Sequence, residues 1–167
     1  MSMFSEALIS DQKSMAIPDD QDIFGQFVGG WDFDWYDRIG SNAGRHVKGE
    51  WIFSWILEGS AIQDVFICPS RAEKVANHQP DSEYGTTVRI FNSKSGAWDV
   101  FYGCANEAVR LEAKKEKDEI VLTEINSKKM RWIFSEITDT SFRWRHVRSQ
   151  DGLIWDLYGE LFATKRK

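Results

Sequence analysis

The sequence predicts an all-β protein, an antiparallel up-and-down barrel of about ten strands preceded by a short helical segment. Three observations lead there. Apolar and polar residues alternate from about residue 28 to residue 164, the two-residue period of half-buried strands. Turn-forming residues interrupt the alternation at short intervals, which suits hairpins. Between those interruptions there is no room for the crossover helices that parallel strands need. A meander of this kind has two exposed edges, and closing it into a barrel removes both.

Taken in order, residues 1–28 read as a helical cap. Asp19 or Asp20 suits the N-cap of a short helix, Ile23, Phe24, Phe27 and Val28 fall at helical spacing, and Gly29-Gly30 ends it. The barrel domain follows at 29–164, with candidate strands at 28–37, 45–58, 60–69, 84–92, 97–105, 107–114, 119–126, 129–137, 140–148 and 153–164. "NSKSG" at 92–96 suits a hairpin with a glycine bulge, and "SQDG" at 149–152 carries the Asp-Gly hairpin signal. Only residues 69–83 form a long connection, a candidate lid, and "KRK" at 165–167 is a short basic tail.

Composition narrows the function classes. A chain of 167 residues with 42% hydrophobic content is long enough for one domain with a substantial core. The net charge is -5 and the chain has no basic block before its last three residues, so nucleic acid is not an expected partner. It has neither a basic amphipathic helix nor an apolar run near the ~20 residues that span a bilayer, so no membrane partner is expected. The first residues lack the basic start and apolar run of a secretory leader, and a soluble cytoplasmic protein is the expectation. Cys68 and Cys104 fit no metal spacing and read as two buried free thiols.

Two near-copies dominate the start of the barrel, "WDFDW" at 31–35 and "WIFSW" at 51–55. In the first, Trp31, Phe33 and Trp35 share a face opposite Asp32, Asp34 and Tyr36; charged aspartates prefer water, so the aromatics point inward. In the second, Trp51, Phe53, Trp55 and Leu57 oppose Glu50, Ile52, Ser54 and Ile56. A hairpin register that pairs odd with odd residues joins both sets into one interior wall. Ten strands enclose a wider interior than the eight that side chains fill, although eight tryptophans are bulky enough to occupy much of it. Trp31 is expected in the core at the closed end. Trp51, Phe53, Trp55, Trp98 and Trp144 are candidates to line a ligand pocket.

A few polar residues sit on apolar faces. Asp64 shares a face with Ile62, Phe66 and Cys68, Arg89 with Thr87 and Phe91, Arg131 with Ile133 and Ile137, and His146 with Phe142 and Trp144; Tyr102 adds a hydroxyl beside Trp98 and Val100. These five join the ligand-binding candidates. The competing reading places the charges outside, in solvent. If Asp64 and one arginine both face inward, they pair or bind an ionic ligand group, and the planar arginine fork suits a carboxylate or phosphate. An imidazole among aromatics can act as a general base, ligate haem, or simply pack. His46 and His78, at a turn and in the long loop, make no metal cluster with it, and no Ser-His-Asp spacing, phosphate loop or nucleophile elbow is present.

Gly30-Trp31, after a short helical segment, resembles the Gly-x-Trp opening of the calycins, the lipocalins and fatty-acid-binding proteins. "GEWIFSWILEGSAIQDVF", "TTVRIFNSKSGAW" and "RWIFSEITDTSFRWRHVRSQDGLIW" are similar to bacterial lipocalin-like proteins, over roughly residues 26–163. The resemblance implies a barrel with a small-molecule pocket and no particular reaction. The arginine that packs across the first-strand tryptophan in lipocalins has no counterpart by spacing, and Arg143 or Arg145 is the candidate for that part. The Gly-x-Trp-x-Gly opening of haem-binding nitrobindin-type barrels is replaced by "GGWDFDW", and no cofactor or metal is expected.

The expected function is binding of a small hydrophobic or aromatic molecule, with an anionic group as an option, inside the barrel. The alternative is an isomerase, cyclase or hydratase using Asp64 or His146 as acid or base. A third reading is a barrel without a cavity that forms a homodimer through outward-facing Ile52, Ile56 and Phe101.

Overall fold

The alternating segments do become strands. The computed structural model describes residues 1–76 and 81–167; His78 lies outside the described residues. A short helix, α1 (Met3–Leu8), leads into a two-residue strand, β1 (Ile9–Ser10). The first half of the barrel follows as β2 (Gly29–Asp37), β3 (His46–Ile56), β4 (Ala61–Cys68), β5 (Glu83–Asn92) and β6 (Ala97–Cys104), with α2 (Arg71–Ala76) between β4 and β5. The second half is β7 (Glu107–Glu116), β8 (Glu119–Glu124), β9 (Met130–Ser135), β10 (Ser141–Arg148) and β11 (Asp156–Lys165).

From β2 onward each strand pairs antiparallel with the next, and β11 pairs with β2. The result is the predicted all-β architecture, a closed ten-stranded antiparallel barrel with a short N-terminal helix. Closure leaves no free edge between the first and last strands. β1 adds to β3 beyond the point where β2 ends, setting Ile9 opposite Ile56. Among the described residues, no helix is long and apolar enough to cross a membrane.

The β2–β3 register pairs odd with odd: Trp31 lies opposite Trp51, Phe33 opposite Gly49 and Trp35 opposite Val47. The aromatics of both near-copies therefore share the inner wall. Two glycines make room for them. A Cβ on Gly49 would stand 2.1 Å from the Phe33 ring, and one on Gly159 would stand 2.3 Å from the Trp35 ring.

The N-terminal segment differs from expectation in how it closes the barrel. It contributes two 3-10 turns, Asp19–Gln21 and Gly25–Phe27, instead of one helix. Asp19 and Asp20 lie inside the first turn and neither caps it, while Gly29 and Gly30 open β2. Burial drives this path more than helix formation does. Phe24 and Phe27 are fully enclosed. The Phe27 ring centroid is 4.7 Å from that of Phe134 and 5.0 Å from that of Phe142. Phe24 meets Trp98 edge-on at 5.3 Å. The indole N–H groups of Trp31 and Trp98 donate to the carbonyls of Phe27 (2.8 Å) and Gln21 (2.9 Å), so the plug satisfies buried donors as well as burying rings. Trp31 is core at the closed end, as expected.

The outer face holds further corrections. Arg143 bonds Glu160 and Glu136, and Arg145 bonds Glu119, so neither covers Trp31. Lys165, opposite Trp31 in the register, places its ammonium 5.4 Å from that ring instead. Ile56 is only 3% exposed, because β1 covers it, whereas Phe101 is 43% exposed. β11 begins at Asp156, which leaves Leu153 and Ile154 in an exposed loop. Both cysteines are free and half-buried.

Candidate ligand cavity

Opposite the plug the interior opens into a cavity of about 250 Å³. Its apolar walls are Trp35, Trp51, Phe66, Trp132 and Trp144. They come from β2, β3, β4, β9 and β10, each placed inward by strand alternation. Trp144 is the hub: its ring lies 6.0 Å from Trp35, 6.0 Å from Trp51 and 5.7 Å from Trp132. Tyr102 meets Trp132 edge-on at 5.3 Å. These tilted and edge-on contacts fix the rings against one another and leave the space between them defined.

The polar part of the wall is Glu83, Thr87, Arg89 and Tyr102, with Glu107, His146 and Arg148 towards the rim. A smaller hollow of about 190 Å³ adjoins it, sharing Trp35, Phe66 and Glu83, and Arg45 spans this hollow by pairing with Asp37 (2.8 Å) and Asp81 (2.6 Å).

At the floor, Asp64 and Arg89 are both fully buried, with Arg89 Nη1 2.6 Å from Asp64 Oδ2. The Thr87 N–H donates to Asp64 Oδ1 at 3.1 Å. The guanidinium lies over the Phe24 and Phe53 rings at 5.0 and 5.3 Å, so it caps the plugged half of the core. The ion pair is close, but its N–H is not aligned on the oxygen, and Arg89 Nε has no acceptor. Trp51 lies beside Asp64 without completing a hydrogen bond. Burial pushes the Asp64 carboxyl up, opposed by the Arg89 charge and the donors around it.

Higher in the cavity the Tyr102 hydroxyl donates to Glu83. Burial pushes the pKa of both groups up, and the hydrogen bond from Tyr102 pulls Glu83 partly back. A Cβ on Gly85 would stand 2.6 Å from the Tyr102 hydroxyl, so only glycine leaves that ring its place. His146 is pushed down to about 4, by burial first and then by the Arg148 charge, and is neutral at physiological pH. Arg148 Nε donates to His146 Nε2 at 3.1 Å, which puts the imidazole proton on Nδ1 and engages the basic nitrogen. Among the described residues, no group of three or more His, Cys, Asp or Glu side chains is placed to hold a metal ion.

Of the residues singled out from sequence, the fold brings Trp51, Arg89, Tyr102, Trp144 and His146 together around the cavity. Phe53, Trp55 and Trp98 share the inner face but lie in the packed half near the plug. Asp64 faces inward yet is sealed behind Arg89, away from the position that an acid or base in the cavity needs. Arg131 faces outward. Its guanidinium lies 4.1 Å from the Trp155 ring, over an outer cluster of Val121, Ile133 and Val147. His46 is on the surface, stacked on Tyr36 and bonded to Asp34.

Sequence reasoning missed Trp35, Phe66, Glu83, Thr87, Glu107, Trp132 and Arg148 as cavity residues. Trp35 and Phe66 carried the needed signal: the odd-with-odd hairpin register sets Trp35 on the same inner wall as Trp51, and Phe66 shares an alternation face with Asp64. Glu83 and Glu107, at strand starts, carried none. No protein-family model matches the chain, and none of the curated proteins matches it.

Proposed function

We propose that the protein binds a small, largely aromatic molecule in the open half of the barrel. The observation that carries this reading is the cavity itself. It is walled by four indoles and a phenyl ring, with a few polar groups on one side, the usual make-up of a site that takes apolar bodies and orients them. A barrel filled for stability alone has no use for this asymmetry, in which the plugged half is tightly packed and the other half is not.

Volume selects the ligand size. An apolar cavity of roughly 150 Å³ accepts one benzene. The cavity here, at about 250 Å³, matches one or two fused rings and is too short for a long acyl chain. The ligand's rings lie among Trp35, Trp51, Trp132 and Trp144, and its polar group faces Arg89 and Tyr102.

Thermal unfolding of the purified protein with a panel of one- and two-ring aromatic compounds tests the reading. Ligands that enter the cavity raise the melting temperature in a saturable way, by roughly 2.7 kcal/mol of added stability at a hundredfold excess over Kd. A flat response across the panel, with unchanged tryptophan emission, removes the proposal.

A further inference from the structure

The ion pair at the cavity floor bears on which polar group a ligand brings to it. We propose that the cavity selects an uncharged hydrogen-bond acceptor, a carbonyl oxygen on a one- or two-ring aromatic body, over the corresponding carboxylate; this rests on reading the cavity as a ligand site.

Charge disfavours a carboxylate here. Arg89 is the guanidinium buried in the wall, and Asp64, 2.6 Å away and equally sealed from solvent, already compensates it. A ligand carboxylate beside this pair would be a third charge in a dry space, two negative against one positive. Uncompensated buried charge is among the costliest features a fold or complex can carry. The rest of the wall does not relieve it. Glu83 and Glu107 add acidic groups, and His146 is neutral. Arg148, at the exposed rim, already donates its Nε–H to His146.

Unused donors in the wall favour a neutral acceptor. Arg89 Nε and Trp132 Nε1 are both buried without an acceptor, and both residues line the cavity. A buried N–H without a partner is disfavoured, and a carbonyl oxygen meets that need without adding charge. The acceptors already in the wall do not: Glu83 takes the Tyr102 hydroxyl, and Asp64 is held by Arg89 and Thr87. The wall therefore offers hydrogen bonds without net positive charge, which favours a neutral acceptor over an anion.

Three probes with one two-ring body separate these terms: 2-acetylnaphthalene, 2-ethylnaphthalene, which has no acceptor, and 2-naphthoate. They are titrated into the full chain by calorimetry at about pH 8, where the naphthoate is ionised. The ketone is expected to bind about tenfold tighter than the hydrocarbon, the value of one good hydrogen bond, and the naphthoate to bind weakest. Trp132→Phe keeps a ring and deletes the N–H. The smaller ring changes the apolar seat for both probes alike, so the readout is the ratio: the ketone should lose most of its roughly tenfold advantage over the hydrocarbon, a split that general loosening of the cavity does not produce. Equal binding of ketone and hydrocarbon, tightest binding by naphthoate, or an equal loss for both probes in Trp132→Phe would overturn the carbonyl seat and leave the aromatic site standing. Absence of binding by all three probes would overturn the ligand-site reading and this inference with it.

Discussion

At the scale of single residues, Asp64 and Arg89 show how a pair can be both costly and required. Each has been taken out of water, and the close approach between them offsets that loss. Arg89→Met leaves a buried carboxyl without its partner and should destabilise the protein by about 3–5 kcal/mol in urea unfolding. Replacing both, with Asp64→Leu and Arg89→Met, should recover most of that loss, because two apolar side chains suit a site already bounded by Phe24 and Phe53. A double variant as unstable as the single one contradicts this account of the pair. Alternation in the sequence placed both residues on apolar faces and so made their meeting legible. The same rule misled at Arg131 because "RWIFS" is apolar on both faces: Trp132 and Phe134 turn inward, while Ile133 is buried outside beneath Trp155 and Leu157. Parity of a strand can be read only when one of its faces is wet.

At the scale of elements, two attachments hold the ends of the chain and the long connection to the barrel. The first is the aromatic plug. The second is Glu50 on β3, which is buried and accepts from Arg71 at the start of α2 (2.6 Å) and from Arg166 after β11 (2.8 Å). The Arg71 side chain and its backbone N–H, with Arg166, hold the Glu50 carboxyl down at about 2, against an ordinary 4.5. A carboxyl whose folded value lies below its unfolded value contributes stability that is complete above the unfolded value and is lost as pH falls towards the folded one. Glu50→Gln should therefore be less stable than wild type near neutrality, and urea unfolding from about pH 5 down to pH 2 should show that gap closing. A gap that stays constant with pH is inconsistent with the ionic latch. The sequence offered strong evidence for the ten strands, since their alternation and turns are local. The path of residues 11–28 was less legible because Phe24 and Phe27 are positioned by Phe134, Phe142 and Trp98, contacts that exist only once the barrel has formed. Depth along the barrel axis was hidden for the same reason. Trp51 and Trp55 share a face in sequence, but the plug assigns one to the cavity and the other to the core.

At the scale of the whole molecule the barrel is polar along its axis, plugged at one end and hollow at the other, and this asymmetry predicts how the interior is reached. Trp31 and Trp98 are essentially inaccessible beneath the N-terminal segment, and their N–H groups are bonded to it. Trp35 is only half-buried and borders both the main cavity and the hollow beside it. A small neutral quencher such as acrylamide should therefore meet two populations of tryptophan. Trp155 lies outside the barrel and is first replaced by Phe, so that interior residues dominate the emission. In that background, Trp35→Phe should remove much of the remaining quenchable component, while Trp31→Phe or Trp98→Phe should raise the quenchable fraction by deleting protected emission. Shortening the plug by Phe24→Ala should do the opposite of Trp35→Phe, opening the protected population to quencher, because Phe24 stands edge-on against Trp98. If Trp98 is quenched as readily as Trp35 in the intact protein, the barrel opens at both ends. The plugged half would then also be open to small molecules, and Trp55 and Trp98 would return as candidates to touch them. If it is protected, ligand access runs past Trp35, Glu83 and Arg148 alone, and specificity is set by what those residues admit and by what Arg89 and Trp132 hold.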